Sequence, residues 1–408
     1  MDCGKLAVMA DVLTSLAEEN VGFTGSPKVQ VPVFELRSNA LLDRQARLES
    51  NARSYPRRIP IALRSAAGVY VTDIEGHTFI DCLSGAGALA LGHRHPVVVE
   101  AIQGALSDGL PWQTLDLTTP AKDQFIDCVF GSLPADFARN AKIHFCGPSG
   151  ADGVEAAIKL VKTATKGRTV FCFHGSYHGM THGALSVTGE NAAKEALSGL
   201  MPEVQFLPYP YDYRCPFGLG GERGYRTGIQ YIENVLDDPN SGVTGFAGMI
   251  LEVVQGEGGV IPAADEWLHQ IRRITHERGI PLIVDEVQTG IGRTGRMYAF
   301  EHAGIVPDVV VLSKAVGGGL PVSVVLYHQS LDQWQPGAHA GTFRGNQLGF
   351  VAGAATIRFI HENNLTEHAA AMGERLMAGL NQVARQSAHI GDVRGRGLMI
   401  GVEMVDQD

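Results

Sequence analysis

Two apolar runs end in residues that could act together in catalysis. The run Pro307–Leu312 leads through Ser313 to Lys314, and Gly317, Gly318 and Gly319 follow. A bare ammonium at the end of a buried strand carries a large desolvation cost. A Schiff base with an aldehyde cofactor removes that cost by consuming the amine. Taken alone, a strand-end lysine more often snorkels to solvent. The second run, Ile280–Val284, delivers Asp285. A carboxylate there can pair with a protonated pyridine nitrogen, keeping the ring cationic so that it draws electrons from a substrate carbon. It could also serve as a helix cap or a salt-bridge partner. Finding Lys314 at the end of the next strand unit favours the chemical reading.

Three further segments fit the same chemistry. Cys146-Gly-Pro-Ser149-Gly150-Ala151-Asp152 runs from a strand through a glycine turn into a helix with apolar Val154, Ala157, Ile158 and Val161. The N–H groups and positive dipole end of that helix suit a phosphate. Without GK[ST] it is not a P-loop, and Ser149 also reads as an ordinary cap. In Phe173-His-Gly-Ser-Tyr177-His178-Gly179 an aromatic at a strand end can stack on a pyridine ring or simply fill the core. Gly341-Thr342-Phe-Arg344-Gly-Asn-Gln offers a hydroxyl and backbone donors in a glycine-bounded loop.

The elements that must position these residues follow from periodicity. The chain to about Asp73 reads as two helical stretches and an extended lead; the second, Asn39 to Asn51, should end at Pro56 and Pro60. GVYVTDIEGHTFIDC alternates around Asp73–Gly76 as a hairpin. Strands are predicted at Lys142–Phe145, Thr169–Phe173, Met249–Val254, Leu282–Val284 and Val309–Leu312. Helices are predicted at Gly150–Thr163, Arg223–Leu236, Asp265–Glu277, Val351–Asn363 and Thr366–Arg385, and GRGLMIGVEMV reads as a closing strand. Alternating strands and helices with near-continuous apolar strands indicate an α/β fold, with a mostly parallel sheet covered on both faces. Ligands in such sheets sit at the carboxyl ends of the strands. The expected division is residues 1–113 as the N-terminal segment of a small α+β domain, 114–335 as the large domain, and 336–408 as the end of the large domain with an incomplete C-terminal small domain.

Composition bounds the partners. The chain has 408 residues and a formal net charge of −10, which disfavours nucleic acid and anionic membranes. No apolar run reaches the roughly 18 residues of a spanning helix, and MDCGKLAVMADVL does not read as a signal peptide. Six cysteines without a C-x-x-C pair argue against zinc and for free thiols in a reducing compartment, so a cytoplasmic protein without a metal is expected.

EVVQGEGG, VDEVQTGIGRTG, PDVVVLSKAVGGGLP, GTFRGNQ and the ALGHRHP run resemble, in order and spacing, the motifs of the class III (ω-amino acid) aminotransferases, over nearly the whole chain. The resemblance implies the fold-type I architecture, pyridoxal 5′-phosphate (PLP) and an amino donor. Lys314 would carry PLP as a Schiff base and move protons. Asp285 would pair with the ring nitrogen and Gln288 would contact the ring hydroxyl. Ser149, Gly150 and Ala151 would hold the phosphate, Tyr177 would stack on the ring, and His178 would complete the cofactor set. Thr342 would reach the phosphate of the neighbouring subunit, which makes a homodimer. Glu252 and Glu257 match acidic positions near cofactor and substrate; in several relatives the residue matching Glu257 pairs with a gating arginine.

ESNARSYPRRIP, LDLTTPAKDQF, LPYPYDYRCPFGLGGE and WQPGAHAGTFRGNQ resemble the members of the family that use L-2,4-diaminobutyrate and 2-oxoglutarate. That likeness implies reversible transfer of the 4-amino group, giving L-aspartate 4-semialdehyde and L-glutamate. Ornithine, GABA or lysine donors, a racemase or aminomutase, and a truncated non-catalytic chain are the alternatives. Family members continue a few tens of residues beyond a point like Asp408, through a segment that carries a carboxylate-binding arginine. Without it, an unpaired sheet edge, an exposed apolar face and a tendency to aggregate are expected, and Arg344 is a weak candidate for the carboxylate.

Overall fold

The computed structural model describes residues 39–406. The first predicted helical stretch and Cys3 lie outside them. The chain divides into two compact units: one runs to Ser84 and adds Leu91–His95, the other takes Gly85–Ala90 and everything from Pro96.

The first unit opens with helix α1 (Ala40–Leu48), capped by Asn39, whose side chain accepts from the N–H groups of Leu41 and Leu42. Pro56 does not end a helix, as expected, but sits in the first turn of another, Tyr55–Arg58. Proline is tolerated there because first-turn N–H groups have no helical acceptor. The predicted hairpin is present as β2 (Tyr70–Asp73) and β3 (Thr78–Ile80), with β1 (Leu63–Ala67) completing an antiparallel sheet. Asp73 closes its turn by accepting the N–H of His77 at 2.8 Å.

The second unit is built on a seven-stranded sheet. Its strands are β4 (Ala141–Phe145), β5 (Thr169–Phe173), β6 (Val204–Leu207), β7 (Phe246–Leu251), β10 (Leu282–Asp285), β11 (Val309–Leu312) and β12 (Val324–His328). The short hairpin β8 (Val254–Gln255) and β9 (Ile261–Pro262) stands apart. The order is β4-β12-β11-β10-β7-β5-β6. Only β12 runs against its neighbours, so β4, β5, β7, β10 and β11 all finish at the same edge. The predicted run Met249–Val254 is split: β7 ends at Leu251, and Val254 belongs to β8. Glu252 and its hydrogen bonds interrupt the ladder there.

Strands β5, β7, β10 and β11 are almost wholly buried, which explains their unbroken apolar sequences. Helices α2 (Pro96–Ser107), α3 (Pro120–Ser132), α4 (Gly150–Thr165), α5 (His182–Val187), α6 (Gly221–Asp237), α7 (Asp265–Glu277), α8 (Gln347–Glu362) and α9 (Leu365–Ala384) accompany them. Helix α4 packs on β7, β11 and β12 through Val154, Ala157, Ile158 and Val161, all buried. Its backbone comes close because position 153 is glycine: a Cβ there would lie 2.7 Å from Ser323 Oγ and 2.8 Å from Val311 Cγ1. Helix α8 packs on α2, α3 and the turn after β11, with Gly353 against the carbonyl of Val316.

GRGLMIGVEMV is not one strand. It crosses a turn at Gly397, in a left-handed conformation (φ 54°), that joins β13 (Ile390–Arg396) to β14 (Met399–Met404) in a two-stranded antiparallel sheet. A cavity of about 710 Å³, lined by Tyr209, Phe217, Trp267, Met377 and Arg396, lies beside this hairpin, and none of the expected site residues lines it. Among the described residues no helix is long and apolar enough to cross a membrane.

The closeness of α4 to the sheet gives a stability test. Gly153→Ala should cost about 1–3 kcal/mol through overpacking, measured as a lower urea midpoint at unchanged m-value.

Candidate active site

The parallel register places two carboxylates side by side. Val284 pairs with Leu251, so Asp285 and Glu252 come next on adjacent strand ends, both buried. Neither can stay there without donors. Asp285 Oδ2 lies 2.8 Å from His178 Nδ1, and Oδ1 accepts the Val287 N–H at 2.9 Å. Glu252 Oε1 accepts the Tyr177 N–H and Oε2 the Gly256 N–H, each at 2.9 Å. Burial pushes the Glu252 carboxyl up to about 7; His178 opposes this, Asp285 adds to it, and the two N–H groups pull it back. The His178 N–H donates to Thr188 Oγ1 at 2.9 Å. Its Nε2 is buried and has no partner among the described residues.

Lys314 follows β11 and Ser313 at the head of a 3-10 turn, Lys314–Gly317. Its φ of 46° is left-handed, a conformation that costs a non-glycine residue roughly 1–2 kcal/mol. Burial lowers its pKa, and Asp285, Glu257 and Glu252 partly restore it. A Cβ on Gly87 would stand 3.8 Å from both Lys314 Cδ and Gln288 Cγ. A Cβ on Gly256 would lie 1.9 Å from Gln288 Oε1, so Gln288 owes its place to a missing side chain.

The turn at the start of α4 closes the site. Ser149 caps the helix, its Oγ accepting the Asp152 N–H at 3.3 Å. Gly150 abuts Val287, whose Cγ1 a Cβ would meet at 2.8 Å, and a Cβ on Gly179 would stand 2.5 Å from Ala151 Cβ. The first-turn N–H groups of a helix lack helical acceptors and favour an anion.

Lys314, Asp285, Gln288, Tyr177, His178, Glu252 and the 149–151 turn thus belong to one set of strand-end loops. Glu257 is exposed, and its charge reaches Lys314. Thr342 is exposed on a 3-10 turn, Thr342–Gly345. Arg344 is committed elsewhere, 2.6 Å from Asp116 Oδ2 and donating to the His339 carbonyl at 3.2 Å. Sequence reasoning missed the packing roles of Gly87, Gly256, Val287 and Thr188. The glycine junctions SGAGALALGH and QGEGG were the available signal for the first two.

The aminotransferase class-III family model matches residues 52–408. The chain is 58% identical over 367 residues to a diaminobutyrate–2-oxoglutarate aminotransferase of Rhizobium meliloti, covering 90% of this chain and 78% of that one. It is 51% identical over 366 residues to the Haemophilus influenzae protein of the same name, with 90% and 80% covered. Among solved structures it resembles a PLP-bound amine transaminase from an uncultivated Pseudomonas species, with a TM-score of 0.79 and 27% identity over 88% of this chain and 84% of that one. An (S)-enantioselective ω-transaminase from Thermomicrobium roseum gives the same TM-score of 0.79 and 27% identity, with 90% and 84% covered.

The depressed pKa of Lys314 sets a reactivity test. In cofactor-free protein at pH 8, an amine-directed acylating reagent should modify Lys314 ahead of exposed lysines, read by peptide mass mapping. Equal labelling of Lys314 and Lys166 would contradict a desolvated amine.

Proposed function

The chain belongs to the class III aminotransferases, and on that premise we propose that it moves the 4-amino group of L-2,4-diaminobutyrate to 2-oxoglutarate, releasing L-aspartate 4-semialdehyde and L-glutamate. The observation that carries this reading is the meeting of Lys314 and Asp285, on adjacent parallel strands, with the N-terminal turn of α4. The likeness to diaminobutyrate–2-oxoglutarate aminotransferases supports the choice of donor and acceptor.

The cofactor is PLP, and the residues present fit it. An amine, a carboxylate and a helix N-terminus match its aldehyde, ring nitrogen and phosphate. Gly87 and Gly256 leave room beside Lys314 and Gln288, and the unpartnered His178 Nε2 marks a buried polar position. Bound PLP supplies an aldehyde carbon that takes up the amino group and a ring that delocalises the electron pair left on the substrate carbon.

The protein's part is to bind, orient and move protons. We assign the phosphate to Ser149 and the N–H groups of Gly150 and Ala151, the ring face to Tyr177, the ring hydroxyl to Gln288 and the ring nitrogen to Asp285. His178 and the Val287 N–H fix the Asp285 carboxylate in one orientation. Desolvation keeps a larger fraction of Lys314 neutral near pH 7, which suits an amine that must accept a proton and return it. We assign Glu257, exposed and close enough for its charge to act on Lys314, to a cationic substrate group.

The same reading makes the enzyme a homodimer. Trp112, Leu115, Leu117 and Phe343 are 68%, 49%, 69% and 59% exposed. They share one neighbourhood, because the Thr114 N–H donates to the Gly345 carbonyl and the Gln347 N–H to the Trp112 carbonyl. So much apolar surface around Thr342 suits burial against a second copy, which would bring Thr342 to the neighbour's phosphate. Among the described residues five cysteines are free thiols, two of them buried, which suits a reducing compartment, and we assign the enzyme to the cytoplasm.

Two experiments test this reading. With 2-oxoglutarate fixed, diaminobutyrate should exceed ornithine, GABA and lysine as donor by at least about tenfold in kcat/KM, a difference of 1.4 kcal/mol; preference for another donor replaces the substrate assignment. Borohydride should fix the cofactor on the Lys314 peptide, and Lys314→Ala should lose both fixation and turnover. Separately, Phe343→Glu should shift the protein from dimer to monomer on light scattering.

A further inference from the structure

Resting on that reading, we propose that Glu252 is a positioning residue, a clasp that sets the height of Tyr177 and the place of the Gly256–Glu257 turn through their backbone N–H groups. Its two oxygens are divided between two loops. Oε1 holds the Tyr177 N–H and Oε2 the Gly256 N–H, both at 2.9 Å. The neighbouring strand end holds the next residue of the first loop, since Asp285 takes the His178 ring at 2.8 Å. Tyr177 and His178 are therefore gripped by two carboxylates on adjacent strands, one through the main chain and one through a side chain.

The second loop is equally constrained. Gly256 lies against Gln288, and a Cβ on Gly258 would stand 2.3 Å from the Gly175 carbonyl. On its far side, Arg394 donates to the carbonyl of Gly259 at 2.6 Å. The loop cannot shift without moving Gln288 or the Tyr177 loop. Glu252 accepts from both loops, beside a second tie in which Gln255 Nε2 donates to the His174 carbonyl at 2.9 Å; Glu252 is 6% exposed, so water does not substitute for it.

Only a carboxylate fits this double role. Two inward N–H donors need two acceptor oxygens, while a glutamine offers one oxygen and turns an N–H₂ toward the other donor. Protonation of Glu252 weakens one acceptor in the same way. The charged or titratable groups facing it are Asp285, His178, Lys314 and Tyr209, whose hydroxyl donates to the Glu252 carbonyl at 2.9 Å.

The test compares amide hydrogen exchange, PLP affinity and steady-state kinetics in the full holoenzyme and in Glu252→Gln, an isosteric change. Exchange at Tyr177 or Gly256 should rise about tenfold or more, as expected for losing a hydrogen bond to a charged group. PLP affinity should fall by a similar factor, and kcat should fall more than KM rises. In the parent, exchange at these amides, corrected for intrinsic base catalysis, should quicken as pH drops from 8 to 6, while Glu252→Gln should show no such change. Glu286→Gln removes another buried carboxylate, one that binds Thr289 and the Phe300 N–H instead, and should leave both amides unaltered. The clasp is rejected if Glu252→Gln leaves both amides within twofold of the parent, or if Glu286→Gln has the same effect. Failure to hold PLP at all would defeat the functional reading, while the exchange result would still decide the clasp.

Discussion

Everything in the candidate active site depends on satisfying charge at the buried ends of parallel strands. Glu252, just after β7, and Asp285, at the end of β10, stand next to each other where water cannot solvate them. The protein answers with four donors: the N–H groups of Tyr177, Gly256 and Val287, and the His178 ring. Those donors belong to the loops that we propose surround the cofactor. The electrostatic requirement of the strand ends and the placement of the active-site loops are met by the same hydrogen bonds.

Glycine makes this density possible. Positions 150, 179, 256 and 258 each stand where a Cβ would meet a neighbouring atom at 2.8 Å or less. The helix start, the Tyr177 loop and the Gln288 turn thus approach through backbone alone. A site made this way is held by the sheet rather than by long side chains. That rigidity lets Lys314 keep a left-handed backbone conformation at the head of its turn, since the packing of α8 on that turn over-determines it.

Lys314 shows the electrostatic consequence. Burial depresses its amine, and three carboxylates partly offset the effect. The balance leaves an amine that can be neutral while anions stand close by. For Glu252 the sign is opposite. Its folded pKa is raised to about 7 from the ordinary carboxyl value of 4.5, so between those values the folded chain holds a proton that the unfolded chain releases. Its contribution to stability is therefore present at lower pH and declines as pH rises through that window.

The sequence by itself determined the strand–helix alternation, the limits of β5, β11 and α7, and the residue types that carry the chemistry at strand ends. These rest on local periodicity and on which side chains tolerate burial, and both are written into short windows. Helix boundaries missed by one to four residues, the start of α8 by the most, because caps are set by geometry outside the helix. The turn at Gly397 escaped because an apolar run reads the same whether or not a left-handed glycine folds it back. What only the tertiary structure decided was which groups meet: the neighbouring of Glu252 and Asp285, the grip on Tyr177 and His178, and the tight fit of Gly256 to Gln288. Strand order and register bring residues together from distant parts of the chain, Tyr177 to Glu252 across 75 positions and His178 to Asp285 across 107, and no local pattern encodes such a pairing.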